Sequence, residues 1–152
     1  MVPAWQGLTT APARRTLAGV KTRRSVVDYA LQRRAVLVDL YAGRVSAIEV
    51  CDATPYLLRA AKYHGERTDR HCPVCRRELL WQVNYVYGDE LKGSAGQAKA
   101  SRELSRMAQS HGTFRVYAIE VCRGCGWNHL VQSYLLGTRA AGEDRRAAGH
   151  LV

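Results

Sequence analysis

A chain of 152 residues that sets 23 lysines and arginines against 13 acids, for a formal charge of +10, has room for one domain with a small appendage. No apolar run approaches the ~20 residues that span a bilayer, and no signal-peptide core is visible, so a membrane protein is excluded and a cytoplasmic one expected. The surplus of cations points toward acidic partners, nucleic acid first among them.

The basicity is uneven. Residues 1–24 hold Arg14, Arg15, Lys21, Arg23 and Arg24 and no acid, with Pro3, Pro12, Gly7 and Gly19 among them. This composition predicts a disordered arm drawn to phosphate backbones; its plainer reading is a solubilising tail.

A helical region follows over 25–66. Ser25 with Asp28 three residues on reads as an N-cap, and Gly43 as the stop. On a helical wheel Asp28, Gln32 and Asp39 form one narrow polar stripe, while Val26, Val27, Tyr29, Leu31, Val36, Leu37, Val38, Leu40 and Tyr41 fill most of the rest. Such a helix is expected to pack on more than one side, against the rest of the fold, a second chain or a partner. Arg33 and Arg34 interrupt it, either snorkelling or facing an acidic partner. Ser46-Ala-Ile-Glu49 is a capping box, and a third helix opens at Thr54-Pro55 and closes at Gly65. Three short helices permit a helix-turn-helix presenting Arg59 and Lys62, although a packing unit is the commoner outcome.

Residues 70–136 carry the clearest signal. Cys72-Pro-Val-Cys75 precedes a strand in which Trp81, Val83, Tyr85 and Tyr87 alternate, and Cys122-Arg-Gly-Cys125 lies between strands over 113–121 and 129–136. Between the halves, 91–112 reads as a helical insertion, with Ala100, Leu104, Met107 and His111 on one side and Lys99, Arg102 and Arg106 on a neighbouring basic face. A flexible tail, 137–152, closes the chain. The expected fold is α+β: about three N-terminal helices packed on a three-stranded antiparallel zinc ribbon.

Two Cys-x-x-Cys pairs suit one tetrahedral, structural Zn2+ held by Cys72, Cys75, Cys122 and Cys125, because two intervening residues let a tight turn aim both sulfurs at one point. A redox motif would open a helix after a strand, and here strand-like sequence follows each pair. Disulfides would suit a secreted domain. Four thiolates close the shell, which argues against a catalytic ion, and His129 and Glu120 read as exposed strand positions rather than catalytic groups. Gly126 follows the second pair where positive φ is favoured, but Arg76 takes that place after the first, leaving His71 as a conceivable substitute ligand there. Cys51 is left over and reads as a small apolar residue.

The segment Val121-Cys-Arg-Gly-Cys-Gly-Trp127, with the strand Phe114 to Ile119 before it, resembles the zinc ribbons of transcription elongation factors and small RNA polymerase subunits. Asp89-Glu90 is similar to the acidic hairpin tip such factors insert into polymerase, although this chain has a helical insertion where they have a short hairpin. Through Tyr29-Ala-Leu-Gln-Arg-Arg34, Glu49-Val-Cys-Asp52, Pro55-Tyr-Leu-Leu-Arg59 and both cysteine pairs, the whole chain resembles an actinobacterial family of unknown function.

Two functions follow as expectations. One is a non-enzymatic protein that binds DNA or RNA through the basic arm, the insertion and the aromatic stripe of Trp81, Tyr85 and Tyr87. The other is an adaptor that docks on RNA polymerase or the ribosome through the ribbon and the apolar first helix; a homodimer is compatible with either. No phosphate-cradling Gly-x-x-x-x-Gly-Lys loop or nucleophile motif supports an enzyme.

Overall fold

The computed structural model describes residues 23–138. The chain is α+β, built on one five-stranded antiparallel sheet in the order β1-β5-β4-β3-β2. Its elements are β1 (Arg24–Asp28), α1 (Ala30–Tyr41), α2 (Ala47–Val50), α3 (Pro55–His64), β2 (Glu66–His71), β3 (Leu79–Tyr87), α4 (Ser101–Ser110), β4 (Phe114–Val121) and β5 (Asn128–Leu136). A 3-10 turn at Asp89–Ser94 follows β3.

The sheet has two more strands than the ribbon expected from the sequence, and the helical region is correspondingly shorter. Ser25 does not cap a helix. It sits in β1 at φ 47°, where the pairing with β5 shifts between Arg24 and Val27. The β-branched pair Val26-Val27 favours a strand there. The N-cap position falls to Tyr29, whose side chain makes no capping bond, and Asp28 just before it accepts the Ala30 N–H on Oδ1 at 2.7 Å. The other added strand, β2, is polar throughout and pairs with β3 at the far edge.

The other helix boundaries follow their sequence signals. Gly43 turns the chain out of α1 at φ 71°. Ser46 and Glu49 form the reciprocal capping box of α2, and Thr54 Oγ1 accepts the Leu57 N–H at 3.2 Å with Pro55 in the first turn of α3. The insertion is only partly helical. Residues 97–99 lie extended against β3, with Val86 N–H donating to Gln97 O and Lys99 N–H to Asn84 O, and α4 begins at Ser101. Lys99 therefore precedes the helix that carries Arg102 and Arg106.

Each face of the sheet buries its own cluster. Trp81, Val83 and Tyr85 lie opposite Val121, Ile119 and Tyr117, and α3 covers this face with Leu57, Ala60 and Ala61. On the other face α4 places Leu104 and Ala108 against Val86, Phe114, Val116 and Tyr134. At the opposite end of that face, Leu37 of α1 packs with Leu80, Trp127, Cys72 and Cys122. The outer side of α1 is uncovered among the described residues: Leu31 is 73% exposed, Val38 50% and Tyr41 58%. Val26 and Val27 of β1 are exposed as well. No helix among the described residues is long and apolar enough to cross a membrane.

Candidate metal centre and basic cleft

Two tight loops, one after β2 and one between β4 and β5, present the four paired cysteines. Their hydrogen bonding is the same in kind. Cys72 N–H donates to Glu78 O and Arg76 N–H to Cys72 O; Cys122 N–H donates to Trp127 O and Gly126 N–H to Cys122 O. Each loop bends through a residue at positive φ, Arg76 at 58° and Gly126 at 88°. At Gly126 a Cβ would also lie 2.8 Å from Cys51 O, so glycine is demanded twice, by backbone angle and by close approach. Arg76 has no such neighbour requirement and adopts the left-handed turn with a side chain.

The sulfurs of Cys72, Cys75, Cys122 and Cys125 all lie within 4.8 Å of one another, and this group can hold a metal ion. Cys72 and Cys125 are 3.6 Å apart, Cys75 and Cys122 3.7 Å. Cys72 and Cys122 are buried, and Leu37, Leu80 and Trp127 wall the centre. Burial pushes the Cys72 thiol above its ordinary range and Cys125 up to about 12. For Cys75 the burial effect is outweighed by the backbone N–H groups of Glu78 and Arg77, which help hold it at about 7. His71, at the exposed end of β2, is not in the group. Cys51 stands outside the four, half-buried, with its Sγ 3.7 Å from that of Cys125 and its thiol raised chiefly by burial.

The cationic residues are distributed differently from the sequence expectation. Arg14, Arg15 and Lys21 lie outside the described residues. Arg23 stacks over the Tyr134 ring at 4.3 Å, and Arg24 donates to Thr113 Oγ1 and to the carbonyls of Leu136 and Gly137. Both are engaged within the fold. Arg102 and Arg106 are exposed on α4, whereas Lys99 is three-quarters buried or more, donating to Gln97 Oε1 at 3.0 Å. The aromatic stripe divides. Tyr85 is buried under α3 and Trp81 partly so, and only Tyr87 is exposed. Glu90, of the acidic pair after β3, accepts the Gly112 N–H and so ties the turn to the entrance of β4.

A cleft of about 250 Å³ lies between α3 and the extended residues 97–99, lined by Tyr56, Arg59, Tyr63, His64 and Lys99. Tyr56 and Tyr63 are 56% and 68% exposed, Tyr56 stacks on Tyr85 with ring centroids 6.4 Å apart, and Lys62 lies over the Tyr63 ring. The tyrosines were not singled out from the sequence. Helical spacing does put Tyr56, Arg59 and Tyr63 on one side of α3, and that was the available signal.

The family model for a family of unknown function, DUF5318, matches residues 20–150, a span that takes in every described element and both cysteine pairs. The chain belongs to this family. Proteins of Mycobacterium tuberculosis and Mycobacterium bovis, each named only as uncharacterised, are 46% identical to it over 123 residues, covering 81% of this chain and 90% of theirs. No solved structure matches the chain.

Proposed function

We propose that this DUF5318 protein is a non-enzymatic, zinc-clamped protein that binds single-stranded nucleic acid, in association with transcription or translation. Zinc is the ion that best suits the cysteine group. A Zn–S bond of about 2.3 Å gives a tetrahedron with edges of about 3.8 Å, and the 3.6 and 3.7 Å separations fit it. Four thiolates leave no open position, so the ion's role is structural: it ties the β2–β3 end of the sheet to the β4–β5 end. Ala53 N–H, donating to Gly126 O, then fastens the segment leading into α3 to the second cysteine loop.

The observation that carries the nucleic-acid reading is the α3 cleft, where the exposed Tyr56 and Tyr63 stand with Arg59 and Lys99, and Lys62 lies over the Tyr63 ring. Bases stack on such rings without regard to sequence, at about 1–3 kcal/mol per base, while the cations track phosphates. The test is fluorescence anisotropy with a labelled single-stranded oligonucleotide and zinc-loaded protein. Tyr56→Ala with Tyr63→Ala should weaken binding about tenfold or more, with unchanged circular dichroism. An unchanged affinity in that variant would remove the cleft from the account.

A second reading is favoured by one feature. Leu31, Val38 and Tyr41 recur at helical spacing along one side of α1 and are all exposed, an apolar stripe of the kind that marks protein docking. It supports an adaptor on a polymerase or ribosome.

A further inference from the structure

On the face of the sheet opposite the α3 cleft, a larger cavity of about 490 Å³ opens beside α1, and three arginines line it: Arg33 and Arg34 from the helix and Arg70 from β2. Leu37, Val38 and Val131 supply apolar wall. Beneath this arrangement sits Glu120, 0% exposed in the middle of the sheet. Its Oε1 accepts from Arg33 Nε at 2.5 Å and from Trp127 Nε1 at 2.9 Å. Its Oε2 makes no hydrogen bond among the described residues, and Arg70 NH1 stands 3.5 Å from it.

A buried carboxylate is a costly way to attach a helix to a sheet, and an apolar pair would do it as well or better. What Glu120 does that a leucine would not is draw two guanidinium groups, from elements far apart in the chain, to the edge of one cavity. Each guanidinium carries five N–H donors, and Arg33 gives one of them to Glu120. Arg34 makes no ion pair among the described residues. The remaining acid of the cavity, Asp28, is occupied by the Ala30 N–H and by Gln132. Three cations against Asp28 and Glu120 leave the site positive, and planar arginine forks match oxyanions in geometry.

We propose that this cavity is a binding site for a small organic oxyanion, a carboxylate or phosphate monoester on an apolar body, with Arg34 and Arg70 as its principal contacts and Glu120 as a positioning residue. The oxyanion meets the arginine forks and the apolar body lies against Leu37, Val38 and Val131. The site is independent of the α3 cleft and of whatever binds there.

The probes are benzoate, phenyl phosphate and a short oligonucleotide, each titrated into the zinc-loaded full chain and followed by amide and arginine Nε chemical shifts. Benzoate or phenyl phosphate at about 10 mM should shift residues of α1, β2 and Val131 and leave Tyr56 and Tyr63 unmoved. Arg34→Ala, at an exposed position that keeps the fold, should weaken that binding about tenfold. Arg59→Ala, in the other cleft, should leave it unchanged. Glu120→Gln should weaken it while the fold and zinc content stay intact, and Arg34→Lys should restore only part of the loss, because a point charge does not replace the fork. No shift with either small probe, equal binding in Arg34→Ala, or shifts produced only by the oligonucleotide would overturn the proposal.

Discussion

Replacing Arg33 by methionine removes the closest cation from a carboxylate that has no access to solvent. Losing one partner of a buried pair costs about 3–5 kcal/mol, because the other charge is left desolvated. Here Arg33 is itself 26% exposed, and Arg70 already stands 3.5 Å from Oε2 and can close part of the gap. We therefore expect about 3 kcal/mol, the lower end of that range. The control is the same substitution in a Glu120→Gln background. Glutamine keeps an acceptor for Trp127 Nε1 but carries no charge, so Arg33→Met should then cost about 1 kcal/mol or less. Urea unfolding of zinc-loaded protein, followed by tryptophan fluorescence, gives all four stabilities. A coupling of about 2 kcal/mol should emerge. If Arg33→Met costs the same in both backgrounds, Glu120 does not depend on Arg33 and the reasoning about this pair fails.

Gly126→Ala should destabilise by about 2 kcal/mol or more, since alanine is strained at positive φ and its Cβ meets a backbone carbonyl; Gly124→Ala, whose Cβ would meet only the flexible Glu78 side chain, should cost far less in the same unfolding assay. Cys51→Ser should retain one zinc per chain by metal analysis, whereas Cys122→Ser should lose it and unfold. Zinc affinity should fall as pH falls. Burial raises Cys72 and Cys125 above the ordinary thiol value in the metal-free chain, so both hold protons that the ion must displace, and acid favours the protonated side. Competition with a chromophoric chelator at mildly acidic and mildly alkaline pH reads this directly; a pH-independent affinity would contradict it.

Much of the sheet was legible because Trp81, Val83, Tyr85 and Tyr87 recur at period two in β3, the burial of β4 alternates, and both cysteine loops carry their spacing openly. The two edge strands were not. Val26 and Val27 continue into the periodicity of α1, so a β-branched strand reads as the first turn of a helix. The strand Glu66-Arg-Thr-Asp-Arg-His71 has no apolar alternation, since its outer edge and much of both faces meet water. At the metal group the sequence named the four sulfurs that come together. It did not place Cys51 against Cys125, a contact made only when the α2–α3 connection docks on Gly126. Glu120 was misread as an exposed position, yet Phe114, Val116 and Ala118 put it on the inward face at period two. Its partners, Arg33 and Arg70, come from α1 and β2, and no local pattern joins them.

The nucleic-acid reading and the adaptor reading diverge most sharply in their response to salt. If Arg59, Lys62 and Lys99 contact phosphates of a single strand, the logarithm of the association constant should fall with the logarithm of salt concentration at a slope of about −2. Apolar docking through α1 would be far less sensitive. The decisive measurement is the affinity of zinc-loaded protein for a labelled single-stranded oligonucleotide across a salt series. A straight line of slope near −2, shallower in Arg59→Ala, is the predicted result, and an affinity that is absent or indifferent to salt contradicts it.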